Sequence, residues 1–156
     1  CKSARKLLMD NRGYVMDNVK DINITTAEWR IMRVIWTLGS ATSRELIDIL
    51  GDSMDWKPAT IKTLLRRLVD KDIVATQKQG NKFIYTAQMQ ETDTIELTTK
   101  QFFDQLCARK VGTAIASLVD ESELTAEDID KIKAALDKKQ PVAEIKCNCL
   151  PDGCDC

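Results

Sequence analysis

Two Thr-x-x-Glu boxes, Thr25-Thr-Ala-Glu28 and Thr42-Ser-Arg-Glu45, mark where helices begin and restrict the first half of the chain to a narrow set of folds. In such a box the threonine hydroxyl accepts the N–H of the third helical residue, and the glutamate reaches back to the threonine N–H. Two amides that the helix itself leaves orphaned are thereby satisfied. The first box precedes Trp29, Ile31, Met32, Ile35, Trp36 and Leu38, an apolar stripe at helical spacing, and predicts a helix over 26–38 stopped at Gly39. The second opens a shorter helix carrying Leu46, Ile47, Ile49 and Leu50 up to Gly51. Trp56-Lys57-Pro58 starts a third, over 58–71, because proline at the first helical position gives up an N–H that has no partner there.

On the third helix Ile61, Leu64, Leu65 and Leu68 share one face. A turn of about 100° per residue puts Ala59, Lys62, Thr63 and Arg66 opposite, flanked by Thr60 and Arg67. A solvated outer face is the ordinary account of such residues. Threonines and a small alanine among basic residues near a helix start also suit close approach to base edges and phosphates. Next come two strand-like runs, Val74-Ala-Thr-Gln-Lys78 and Lys82-Phe-Ile-Tyr-Thr86, around Gly80-Asn81. Phe83 and Tyr85 alternate with Ile84, so one set faces the core. The expected fold is mainly α with a small β-hairpin wing: a winged helix-turn-helix, with Lys78 and Lys82 placed to hold the nucleic-acid backbone.

Beyond Gln90, Ile95, Phe102, Phe103, Leu106, Cys107, Ile115, Leu118 and Val119 form an extended apolar series, expected to break near Gly112. Thr125-Ala-Glu-Asp128 caps a last helix with Ile129, Ile132, Ala135 and Leu136 on its apolar face. A chain of 156 residues offers these helices few partners. Dimerisation through Phe102, Phe103, Leu106, Ile115, Leu118, Ile129, Ile132 and Leu136 is therefore expected, with an intrachain core as the alternative. Cys107 reads as a small buried hydrophobe. Residues 138–146 read as a linker. The opening residues match nothing downstream, the chain starts at Cys1, and Met16 lies at a start-like distance from the first helix. The expected organisation is a disordered extension over 1–20, a DNA-binding domain over 21–90, a helical dimerisation region over 91–139, and a linker with a cysteine tail over 140–156.

Histidine is absent, which removes the commonest general base and most nucleophile-activating arrangements, so a binding protein is expected rather than an enzyme. No apolar run is long enough to span a membrane and no secretory segment is evident, which points to the cytoplasm. Residues 16–90 carry a net charge of +2 and residues 91–156 a net of −6, so contact with nucleic acid belongs to the first half.

The chain ends in Cys147-Asn-Cys149-Leu-Pro-Asp-Gly-Cys154-Asp-Cys156, two Cys-x-Cys pairs across a Pro- and Gly-containing turn. In a reducing compartment such pairs are ligands more often than disulfides. Thiolate softness selects Cu(I), Zn(II) or a similar thiophile. Zinc ribbons usually space their pairs Cys-x-x-Cys, so the tighter pairs lean towards Cu(I) without excluding zinc. Paired disulfides or a purely structural zinc clasp remain the alternatives.

The run Ala27-Glu-Trp29-Arg-Ile-Met-Arg-Val-Ile-Trp36, followed by Trp56-Lys-Pro58-Ala-Thr60-Ile-Lys-Thr63-Leu-Leu-Arg-Arg67-Leu, resembles the BlaI/MecI penicillinase-repressor family over about residues 24–137. The cysteine tail resembles the CopY branch of copper-responsive repressors in Gram-positive bacteria. This resemblance implies a homodimer on a palindromic operator of copper-homeostasis genes with TACA and TGTA elements. It further implies that Zn(II) in the tail favours operator binding and that Cu(I), supplied in one version by a copper chaperone, releases it. The ligands carry over onto Cys147, Cys149, Cys154 and Cys156, and DNA contacts onto Thr60, Lys62, Thr63 and Arg67; Arg66 rests on the helical wheel alone. β-Lactam-responsive members are cut at an Asn-Phe bond, where this chain has Ala116-Ser117-Leu118-Val119. The missing signal favours metal over proteolysis as the switch. A cytosolic copper or zinc buffer and a thiol redox-sensing repressor are the competing expectations.

Overall fold

A computed structural model describes residues 22–151 and residue 154. The chain divides into two compact units between Thr98 and Thr99. The first holds α1 (Thr26–Leu38), β1 (Ala41–Thr42), α2 (Ser43–Met54), α3 (Pro58–Asp70), β2 (Val74–Gln79) and β3 (Lys82–Ala87). Helix α4 (Glu91–Asp104) runs across the division. In the second unit follow a 3-10 turn (Ala108–Lys110), α5 (Val111–Glu121) and α6 (Ala126–Asp137).

Both N-terminal capping boxes form. Thr25 Oγ1 accepts from the Glu28 N–H at 3.2 Å while Glu28 Oε2 accepts from the Thr25 N–H at 2.8 Å. The Thr42–Glu45 pair repeats this at 3.2 and 2.7 Å. Helix α1 stops where expected, at Gly39, whose φ of 79° suits a residue without a Cβ. Helix α2 does not stop at Gly51. It runs on to Met54 and ends at Asp55, which takes the left-handed conformation (φ 53°) and donates its N–H to the Gly51 carbonyl. An internal glycine costs a helix only about 1 kcal/mol relative to alanine, too little by itself to end one.

Ile31, Met32 and Ile35 of α1, Leu46 and Leu50 of α2, and Ile61, Leu64, Leu65 and Leu68 of α3 form one core with Ala41, Ile73 and Val74. The whole apolar stripe of α3 is therefore buried and its opposite face turned outward. The sheet has the order β1-β3-β2, all antiparallel. The expected hairpin is present, with Gly80 at φ 60° in its turn. Strand β1 is an addition: two residues are too short to show a period. Trp36 Nε1 donates to the Met89 carbonyl at 2.9 Å, holding the end of the wing to α1. At the far end of α3, Lys71 Nζ donates to both oxygens of buried Glu28 at 2.9 and 2.7 Å and to the Asn23 carbonyl at 2.7 Å.

In the second unit the helical break falls at residues 105–107, ahead of the expected Gly112, which sits in the first turn of α5. Neither glycine nor proline marks that break. The third capping box forms as expected, Thr125 Oγ1 accepting from Asp128 N–H at 3.2 Å. Among the described residues no side chain of this unit is fully buried. No described helix is long and apolar enough to cross a membrane. The expected extension over 1–20 lies outside the described residues.

Candidate nucleic-acid interface and metal centre

Helix α3 presents Thr60, Lys62, Thr63, Arg66 and Arg67 to solvent, on the side away from Ile61, Leu64, Leu65 and Leu68. The N-cap residue, Lys57, has no side-chain acceptor and makes no capping bond, so the positive end of the helix dipole at this start is not neutralised by a cap. The Thr63 hydroxyl donates to the Ala59 carbonyl at 2.9 Å, which leaves its oxygen as an acceptor. Arg66 stands 4.0 Å from Asp70 across an exposed helical turn, whereas Lys62 and Arg67 have no acidic partner among the described residues. The face therefore offers cations, hydroxyls and a small alanine close to a helix start. These groups suit phosphates and base edges in a major groove.

In the wing, Lys78 pairs with Phe83 and Gln79 with Lys82. Opposed residues of an antiparallel pair share a face, so Lys78 lies on the face of Phe83 and Lys82 on the other. Both lysines are exposed, and the hairpin tip thus offers a positive charge on each side. Phe83 is 51 % exposed while Tyr85 and Ala87, on the same face, pack against the core. Only the inner part of the alternating set therefore faces inward.

The second chemical feature lies beyond the linker. The sulfurs of Cys107, Cys147 and Cys149 all lie within 4.8 Å of one another, with Cys107 and Cys147 at 3.6 Å. Cys107 is half-buried rather than a core residue. The tail reaches it through the backbone as well: Asn148 Oδ1 accepts from the Ala108 N–H at 2.8 Å, an amide at the start of the 3-10 turn that has no partner within the turn. The Cys149 N–H points at Cys147 Sγ at 3.4 Å. Contacts with the Cys147 and Cys107 thiols, more than the slight desolvation, push the Cys149 thiol up to about 12. A bound cation acts in the opposite direction, since a coordinating thiol is held as thiolate.

This donor set fits a thiophilic ion. Sulfurs around a tetrahedral zinc with bonds near 2.3 Å stand about 3.8 Å apart, close to the spacing of the Cys107–Cys147 pair. Of the four expected tail ligands, Cys147 and Cys149 meet in this group, Cys154 is half-buried, and Cys156 lies outside the described residues. Cys107 reads as a hydrophobe in the sequence because Phe102, Phe103 and Leu106 beside it are apolar, whereas the structure brings its thiol to those of Cys147 and Cys149. The available signal was that a chain without histidine has six thiols, of which this one alone lies in the chain's interior sequence.

The eight apolar residues expected to dimerise are incompletely covered. Phe102, Ile115, Leu118, Ile129 and Leu136 are exposed, and Phe103, Leu106 and Ile132 half-buried.

Residues 24–138 match the family model described as penicillinase repressor. An uncharacterized 16.5 kDa protein in the ptsI 3' region of Latilactobacillus sakei is 43 % identical over 135 residues, covering 85 % of this chain and 92 % of its own. The methicillin resistance regulatory protein MecI of Mammaliicoccus sciuri is 30 % identical over 124 residues, covering 80 % of this chain and all of its own. Among solved structures, a CopR repressor is 43 % identical with a TM-score of 0.38, covering 44 % of this chain and 100 % of that one. The extent of the family match, on a winged helix-turn-helix with a basic outward helix face, places this chain in the penicillinase repressor family, as a DNA-binding transcriptional repressor and not an enzyme.

Proposed function

We propose that this repressor is copper-responsive and acts as a cytoplasmic homodimer on a palindromic operator of copper-homeostasis genes. The observation that carries the metal part is the meeting of three thiols within 4.8 Å in a chain without histidine, a purely soft donor set that favours Cu(I) and Zn(II) over hard cations. In this reading Cys147, Cys149, Cys154 and Cys156 hold Zn(II) in the operator-bound form and Cu(I) in the released form, with a copper chaperone as donor. Metal–thiolate bonding supplies the energy: structural zinc reaches about 10–16 kcal/mol, against about 5.5 kcal/mol needed to move a 99:1 equilibrium to 1:99.

Residues 21–90 form the DNA-binding domain. Thr60, Lys62, Thr63 and Arg67 enter the major groove, and Arg66, Lys78 and Lys82 hold phosphates beside it. Residues 91–139 form the dimerisation region. Its support is the run of exposed apolar side chains from Phe102 to Leu136, an uncovered surface of the kind that drives association. The linker and tail over 140–156 carry the metal.

The test is fluorescence anisotropy of a labelled palindromic TACA/TGTA duplex with zinc-loaded protein, titrated anaerobically with Cu(I). Release of the duplex with zinc liberated in parallel is expected. Tight binding unaffected by copper would overturn the copper reading while leaving the repressor, and metal binding without any operator binding would favour a buffer.

A further inference from the structure

We infer that Cys107, far outside the tail motif, takes one of the four thiolate positions of the metal site beside Cys147 and Cys149, in place of one of the two outer tail cysteines, so that a bound ion ties the tail to the turn between α4 and α5. This rests on the reading that the tail holds such an ion. Two independent contacts seat the tail here. One is the sulfur group, with Cys107 and Cys147 Sγ at 3.6 Å and Cys149 within 4.8 Å of both. The other involves no sulfur: Asn148, between the two cysteines, takes the Ala108 N–H at 2.8 Å. That bond places the Cys-x-Cys pair against Cys107 whether or not an ion is present.

The turn that carries Cys107 is held from both sides. Leu106 N–H donates to the Phe103 carbonyl at 3.1 Å and Lys110 N–H to the Cys107 carbonyl at 2.8 Å. The tail has no helix or strand of its own among its described residues. A thiol on a defined turn lowers the ordering that a site built from the tail alone would need. It also gives occupancy a route to the helices. Phe102 and Phe103 precede Cys107 by only a few residues, their rings edge to face at 5.8 Å, and α5 starts at Val111. An ion on Cys107 therefore acts on the backbone that connects the proposed dimer helices, whereas an ion held only by the tail acts on the linker.

The test uses the full chain, reduced and anaerobic, with Co(II) as the spectroscopic probe and Cu(I) measured against a chromophoric chelator. Cys107→Ser should lose one thiolate's share of the sulfur-to-Co(II) charge-transfer intensity and bind Cu(I) roughly ten-fold or more weakly. In the unmutated chain, metal loading should slow alkylation of Cys107, a readout that does not depend on how any variant folds. Unchanged intensity and affinity in Cys107→Ser, with Cys107 alkylated equally fast loaded and unloaded, would overturn the inference. The Cys147→Ser/Cys149→Ser variant separates the two layers. If it loses metal while Cys107→Ser does not, the inference about Cys107 alone fails; if it also keeps metal, the tail reading fails with it. A Cys107–Cys147 disulfide formed in air, with Cu(I) affinity unaffected by Cys107→Ser, would likewise overturn ligation in favour of redox pairing.

Discussion

Replacing Lys71 with methionine strands a carboxylate in the core of the first unit. Glu28 is 0 % exposed, and its two oxygens receive Lys71 Nζ at 2.9 and 2.7 Å. Removing one partner of a buried pair costs about 3–5 kcal/mol. Here the lysine side chain is 33 % exposed, so water partly replaces it, and the Thr25 N–H still donates at 2.8 Å. The expected loss is then about 2–4 kcal/mol, a large part of the roughly 5–15 kcal/mol that holds a domain together. Urea unfolding at neutral pH, followed by tryptophan fluorescence, measures it as a shift in midpoint at constant m. Because the penalty is an unpaired charge and not lost packing, adding Glu28→Gln should restore at least about 1 kcal/mol relative to the sum of the single variants. Additivity within about 0.5 kcal/mol would refute the argument.

The same pair has a pH signature. Burial alone would raise the Glu28 carboxyl, but hydrogen bonds from Lys71 and Thr25 and the Lys71 charge hold it below its ordinary value of 4.5. A carboxyl depressed in the folded chain contributes stability that is fully present above its unfolded value and is lost as pH falls through its folded value. In Lys71→Met the burial acts unopposed by the ammonium, so acid relieves the stranded charge. The stability gap between the two proteins should narrow as pH falls below neutrality, and a gap that widened would contradict the assignment.

Lys78→Ala and Lys82→Ala should each weaken binding evenly across duplex sequences and reduce the slope of log K against log salt by about 0.9, measured by anisotropy at several salt concentrations; an unchanged slope removes that lysine from the interface. Leu118 is 53 % exposed, so Leu118→Glu should leave the first unit folded by circular dichroism yet give a monomer in sedimentation, and a persisting dimer would place the interface elsewhere.

Helix starts, the hairpin and the outward face of α3 were legible because each is written in a few contiguous residues. A Thr-x-x-Glu box needs only four positions to satisfy its own amides, and the Ile61–Leu68 stripe declares by its spacing which side of the helix must be buried. The exposure of Lys62, Thr63 and Arg67 follows from the same wheel. Where two local signals compete, sequence alone was a poorer guide. Gly51 looked like a stop until Asp55 supplied a left-handed cap beyond it, and the break after α4 carries no glycine or proline to announce it. The tail's four cysteines announced soft-metal chemistry by composition and spacing. That Cys107 joins Cys147 across a separation of 40 residues could not be read this way. Such a meeting depends on how the intervening turn, two helices and linker return the chain on itself. Local propensity sets each element, but only their packing decides which distant side chains become neighbours.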